Sequence, residues 1–210
     1  MISVILPVLN HYDYTYDLLK YISRNSLYPY EIILIDNGTD KTETLPGSYT
    51  HLNIVYLKQE KNIGVNASWN IGIEKAKGDL ISFLNNDLIL NSLFFENIEN
   101  VMKGDQTIGI CIPKTVKKLG EESLKISSGI FTGREGWAFT MRSDLAKKAY
   151  PIPSDLKMFF GDDYLFRKTR SLKHKVVQLK NNEIIHLGSK TVGDIFNWDR
   201  DKECKAILDE

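Results

Sequence analysis

Cysteine is nearly absent: Cys111 and Cys204 are the only two in 210 residues, too few for a disulfide framework or a cysteine-built zinc site. Also missing is any apolar run near the roughly 18 residues of a membrane span. The opening Met1-Ile2-Ser3-Val4 lacks the basic region and cleavage site of a secretory leader. Together these absences predict a soluble, cytoplasmic protein. Neither sign of charge is in excess, with 27 Lys and Arg against 27 Asp and Glu. That balance excludes a uniformly basic nucleic-acid coat and an acidic solvating tail. No G-x-G-x-x-G follows an apolar run and no G-x-x-x-x-G-K-[ST] occurs, so a dinucleotide dehydrogenase and a P-loop phosphotransferase are poor readings.

What is present is enough apolar material for a sizeable core, 42% of residues. Short apolar runs alternate with helical patterns in the first half. Strands are expected at 2–6 (stopped by Pro7), 32–35, 54–57, 80–84 and 108–112. Helices are expected at 12–23, 65–76 and 94–102. Continuous rather than alternating apolar strands imply an α/β fold whose mostly parallel sheet is covered on both faces. The second half is less regular. Strands are expected at 124–131, 137–141, 176–179 and 183–187, with helices at 143–149 and 166–172. With no repeat, low-complexity tract or linker, residues 1–210 read as one domain. The tail after Lys190 carries Ile195, Phe196 and Trp198 and is expected to pack on the body.

Ligands of an open parallel sheet bind beyond the carboxyl ends of its strands. Three polar clusters fall there: Asn10, Asp36, and Asn85-Asn86-Asp87. Each alone is an ordinary turn, since Asn and Asp favour such backbone; three on one edge indicate a site. Further along, Asp162-Asp163 follows the apolar Met158-Phe159-Phe160-Gly161, which would desolvate a carboxylate and raise its pKa. The plainer reading of that pair is an acidic first helical turn, and the two readings are compatible. Trp69, one turn before Ile73, reads as core. Residues 167–175 hold five cations and His174, either a solvated helix face or a site for something anionic.

The blocks 3–10, Ile35-Asp36-Asn37-Gly38-Thr39-Asp40, Asn62-Ile63-Gly64, Trp69-Asn70-Ile71-Gly72, Lys77-Gly78-Asp79 and Phe83-Leu84-Asn85-Asn86-Asp87 resemble family-two glycosyltransferases of the GT-A fold. So do Gly136-Trp137-Ala138-Phe139, Phe159-Phe160-Gly161-Asp162-Asp163 and His186. The order and spacing of these blocks match over nearly the whole chain. The resemblance implies a single GT-A domain with a smaller antiparallel element in the second half. It divides the chain into a nucleotide-sugar-binding half (1–104), an acceptor and catalytic half (105–189) and the packing tail (190–210).

In site terms the resemblance implies a nucleoside-diphosphate sugar lying across the sheet edge. Pro7 and Asn10 would border the base, Asp36 would hydrogen-bond base or ribose, and Asn62 and Asn70 would approach the nucleotide. Asn85 would face the ribose, and Asn86 belongs to the same turn. Asp87, in place of the family's D-x-D motif, would bind Mn²⁺ or Mg²⁺ together with His186. Such an ion stabilises the departing diphosphate as a Lewis acid. Only one of the motif's two usual carboxylates is present. Asp163 would be the base, with Asp162 replacing the family's Glu. The loop Gly133-Arg134-Glu135-Gly136-Trp137 would lie under the donor sugar or beside the acceptor, Trp137 either stacking on a sugar or packing in the core.

The implied reaction is inverting, metal-dependent transfer to an acceptor hydroxyl. A glycan or glycolipid is the first expectation for the acceptor, and a hydroxymethylated DNA base the second. A non-catalytic nucleotide-sugar-binding module is the alternative from another class. A sugar nucleotidyltransferase would need a glycine-rich basic loop where the chain has Pro7-Val8-Leu9-Asn10-His11-Tyr12.

Overall fold

The β-branched run at the amino terminus forms strand β1 (Ile2–Val8), flanked on both sides by parallel partners. The computed structural model describes residues 1–119, 126–128 (backbone only) and 136–188. Against expectation, β1 continues through Pro7. The backbone oxygens of Ile2 and Val8 both accept from the β2 side, so by alternation Pro7 faces β4, beyond the last pair, Ile5↔Phe83. The missing N–H therefore breaks no ladder bond.

The other first-half elements follow the apolar runs. They are α1 (Tyr12–Ile22), β2 (Glu31–Asp36), a 3₁₀ turn (Lys41–Thr44), α2 (Leu45–Ser48), β3 (Ile54–Lys58), α3 (Val65–Lys75), β4 (Leu80–Leu84), β5 (Leu88–Leu90) and α4 (Phe94–Gly104). The second half adds β6 (Ile108–Thr115), β7 (Ile126–Ser128), β8 (Ala138–Arg142), α5 (Ser143–Ala149), α6 (Gly161–Ser171) and β9 (Lys175–His186). The sheet order is β3-β2-β1-β4-β8-β6-β9-β5, with β7 on β9. Strands β3, β2, β1 and β4 are parallel, and β8 inserts antiparallel between β4 and β6. The expected antiparallel element is this second half.

Three expectations are corrected. The two closing strands are one twelve-residue strand, β9. Its register against β6 jumps from Pro113↔Leu179 to Lys114↔Glu183, a bulge that absorbs the polar stretch 180–182. Within it Asn182 is fully buried, donating to Phe94 O (3.1 Å) and accepting from Asn91 Nδ2 (2.9 Å). Strand β6 runs past Ile112 through Pro113 to Thr115. Helix α6 starts five residues earlier than the apolar pattern indicates, so the acid pair sits in its first turn. The tail from 190 onward, residues 133–135, and most of the strand expected at 124–131 lie outside the described residues.

Alternation along β1 divides the interior. Ile2, Val4, Leu6 and Val8 pack under α1 and α4, while Ile5 joins a second core under α3, α5 and α6. Both faces are covered, as a parallel sheet requires. Trp69 is core as expected, 4% exposed and edge-on to Phe83 and Phe139.

Candidate active site

The carboxyl ends of β1, β2 and β4 share one sheet edge because the three strands are parallel neighbours. Two consecutive residues after β1, Asn10 and His11, have left-handed backbone (φ 57° and 56°). Such conformations are costly for side-chain-bearing residues and persist where neighbours enforce them. Here Asn10 Oδ1 accepts from Thr39 N at 2.8 Å, and a Cβ at Gly38 would overlap the Asn10 backbone nitrogen. Only glycine permits that approach.

Asp36 ends β2 with a side chain wholly removed from solvent. One carboxylate oxygen accepts from Gly38 N (2.8 Å), the other from Tyr56 hydroxyl (2.6 Å) and Lys58 Nζ (2.9 Å). Lys58 also donates to Gly38 O. Burial, and next the bond to Asp36, raise the Tyr56 pKa. These partners build one wall of a cavity of about 690 Å³, lined by residues 37–40, Glu43, Tyr56 and residues 58–62. Asp36 thus shapes the cavity through Tyr56 and Lys58. Asn62 lines it, with Oδ1 accepting from Gly64 N at 3.0 Å.

Not every residue singled out in the sequence reaches this edge. Asn70 spends both polar atoms on Ile152, donating to its O (3.0 Å) and accepting from its N (2.8 Å). Asn86 is buried and donates to Thr15 Oγ1 at 3.0 Å, tying the β4 turn to α1. Pro7 is half-buried within β1. Asn85 remains partly exposed, its backbone nitrogen donating to Trp137 O at 2.8 Å.

Asp87 and His186 meet because β5 pairs with β9 at Leu88↔His186. His186 Nε2 lies 3.2 Å from Asp87 Oδ2, and the two side chains are 10% and 6% exposed. The approach is not aligned as a hydrogen bond, leaving Nε2 buried and unpartnered. The Trp137 ring stacks on His186 (centroids 4.6 Å apart, 14° between planes) and is fixed by Nε1 donating to Thr115 Oγ1 at 2.9 Å. One face of Trp137 therefore serves the histidine. A ring nitrogen without a hydrogen-bond partner and a carboxylate oxygen, buried side by side, fit a divalent cation. Among the described residues no cluster of three His, Cys, Asp or Glu exists.

Helix α6 opens with the acid pair. A Cβ at Gly136 would overlap the Asp162 carboxylate, so the acid packs directly on backbone. Burial first, and then the neighbouring Asp163, push the Asp162 pKa up to about 6. Asp163 is exposed. The two acids thus occupy different environments one residue apart. Gly136 precedes β8, antiparallel to β4, which brings the pair to the edge that carries Asp87. The cations of 167–175 lie toward the other end of α6, where the helix dipole favours them. Lys175 pairs with Asp105 at 3.2 Å, and Lys168 Nζ sits 5.2 Å from the Tyr164 ring centroid.

Sequence reading missed Asn66, buried in the first turn of α3 and bonded to the loop before α6. An Asn in a first helical turn is ordinarily solvated, and nothing local marks it. Sequence reading also missed Tyr56, inside the strand expected at 54–57, and Lys58, just beyond it, although alternation puts both on one face of β3 beside Asp36.

Among curated relatives, the chain is 34% identical over 86 residues to the uncharacterized glycosyltransferase YwdF of Bacillus subtilis, covering 41% of this chain and 32% of that one. The chain thus spans about a third of the length of that relative. Among solved structures, S. aureus TarS 1-349 in complex with UDP superposes with a TM-score of 0.72 at 18% identity, over 88% of this chain and 59% of that one. Mannosyltransferase PcManGT from Pyrobaculum calidifontis, in complex with GDP-Man and Mn²⁺, superposes with a TM-score of 0.69 at 15% identity, over 90% of this chain and 57% of that one. These likenesses establish the GT-A-type fold. The model of glycosyl transferase family 2 matches residues 3–165, well over half the chain, and the chain belongs to that family.

Proposed function

We propose that the chain transfers a sugar, with inversion, from a nucleoside-diphosphate sugar to an acceptor hydroxyl. The observation that carries this reading is the convergence on one sheet edge of the 690 Å³ cavity, the Asp87–His186 pair and the Asp162-Asp163 pair. The cavity takes the nucleotide. Asp87 and His186 would hold Mn²⁺ or Mg²⁺, which supplies charge stabilisation for the diphosphate. TarS with UDP and PcManGT with GDP-Man and Mn²⁺ support the donor and metal classes.

Asp163 is the base. A proton acceptor must first be within reach of the incoming hydroxyl, and Asp163 is exposed at the helix start whereas the Asp162 carboxyl packs on Gly136. Asp162 fixes that start and keeps a second charge beside the base. On the donor side of this reading, Asn62 lines the cavity, Asn10 braces the Gly38-Thr39 turn beside it, and Gly136 lies against Asp162. Pro7 and Asn85 keep a donor-side role only by their place at the ends of β1 and β4. Asn70 and Asn86 act from behind it, through Ile152 and Thr15. The acceptor is a glycan or glycolipid in this reading. Among the described residues no helix is long and apolar enough to cross a membrane.

A thermal-shift screen of nucleotide sugars with Mn²⁺, followed by mass spectrometry with glycan, glycolipid and hydroxymethylated-DNA acceptors, tests the proposal. A donor that stabilises the protein and is consumed only with a glycan or glycolipid supports it. Transfer to DNA redirects the acceptor, and donor binding without turnover makes the chain a binding module.

A further inference from the structure

Asn66 is 1% exposed and does not line the donor cavity. It makes three links to a single loop. Its Nδ2 donates to Leu156 O (3.2 Å) and Phe159 O (2.9 Å), and its backbone nitrogen donates to Lys157 O (3.2 Å). That loop ends at Phe160, whose left-handed backbone (φ 59°) turns the chain into α6 without a side-chain cap. The Asn66 Oδ1 is buried without a hydrogen-bond partner and sits against Gly161, where a Cβ would overlap it. An unpaired buried carbonyl opposes folding, so this amide is held in place by the loop and the helix start it contacts.

We infer that Asn66 is the positioning residue for the acid pair. It ties α3 to the segment before α6 and abuts the first residue of α6, so it sets where Asp162 and Asp163 stand relative to Gly136. Two glycines complete the arrangement. Gly161 lets the helix start touch Asn66, and Gly136 lets the Asp162 carboxylate touch the backbone leading into β8. Asn66 needs no contact with substrate in this role. Its catalytic consequence rests on the reading of the pair as the proton-accepting site; its structural consequence does not.

The test is a ¹³C-carboxyl NMR titration of the whole chain, which needs no substrate. In the unsubstituted protein burial, and next Asp163, should hold the Asp162 midpoint up at about 6. Among the described residues, the groups facing it are Asp163, the Gly136 backbone and the first backbone N–H groups of α6, and the substitutions leave all of these in the sequence. In Asn66→Ala the helix start loosens, Asp162 gains solvent, and its midpoint falls toward about 4. Gly161→Ala, which presses on Oδ1 while keeping the amide's donors, is the second variant and shifts the midpoint too.

A midpoint that stays near 6 in either folded variant overturns the inference. With a donor and acceptor in hand, Asn66→Ala lowers kcat roughly tenfold or more, because misplacing reacting groups costs positioning, and leaves the donor KM unchanged. A loss confined to the donor KM also overturns the inference. If the unsubstituted chain turns over no donor, the functional reading fails while the titration still decides the placement.

Discussion

His186 Nε2 and Asp87 Oδ2 lie 3.2 Å apart although the two residues come from the opposite halves of the chain. The short β5–β9 ladder makes the meeting, and Trp137 stacked on the imidazole holds its plane. A carboxylate that would be a weak lone ligand thereby gains a nitrogen partner. Mn²⁺ should tighten UDP or GDP binding to the intact protein. In His186→Ala that gain should shrink by roughly tenfold or more, about 1.4 kcal/mol, as read by calorimetry with and without metal. Equal metal dependence in the variant would remove His186 from the site.

In the proposed reaction the acid pair takes two roles. Asp163→Asn should lower transfer by about 10²–10⁴-fold, the usual contribution of a general base, and leave donor affinity unaltered. Asp162→Asn keeps shape and hydrogen-bonding capacity at the helix start, so its loss of transfer should be smaller. Steady-state rates of both variants on one donor and acceptor settle the order; the reverse ranking would make Asp162 the base.

Stability against pH reports on Asp162 directly. Burial, more than the neighbouring Asp163, raises its folded pKa to about 6, above the ordinary aspartate range. The folded state therefore holds the proton more tightly than the unfolded chain. The contribution of this group is most favourable below the unfolded pKa and is lost as pH rises through the folded value. Asp162→Asn, which cannot ionise, should match the parent near pH 4 and exceed it at pH 7–8 by roughly 1–2 kcal/mol, discounted for partial exposure. Thermal melts at several pH values would show the gap opening between the two pKa values.

Asp36 depends on its donors. Tyr56→Phe removes the hydroxyl at 2.6 Å from a carboxylate with no solvent access. The loss of one donor to a buried charge should cost about 1–3 kcal/mol in urea unfolding. Because Tyr56 and Lys58 both line the cavity, nucleotide affinity should fall in the same variant. Unchanged binding together with lower stability would confine Asp36 to a structural role.

Much of the fold was legible in the chain because it follows from local rules. Continuous apolar runs bounded by turn residues read as doubly covered strands, and the strand at 80–84 and the helix at 143–149 form as expected. The polar turns after β1, β2 and β4 had to share an edge once the strands were parallel. Local rules failed where pairing overrides them. Pro7 and Pro113 sit inside strands, and a bulge merges two apolar runs into β9.

By itself the sequence determined the fold class, the edge that carries the site and the residue types available there, because periodicity and turn chemistry are properties of neighbours along the chain. Tertiary structure decided which side chain meets which. Asn86 and Asn70 turn to Thr15 and Ile152, Asp36 saturates itself on Tyr56 and Lys58, and the helix start is pinned by Asn66. Those assignments arise from contacts between residues remote in sequence. In a close-packed interior each buried polar group must find its partner wherever the chain brings one.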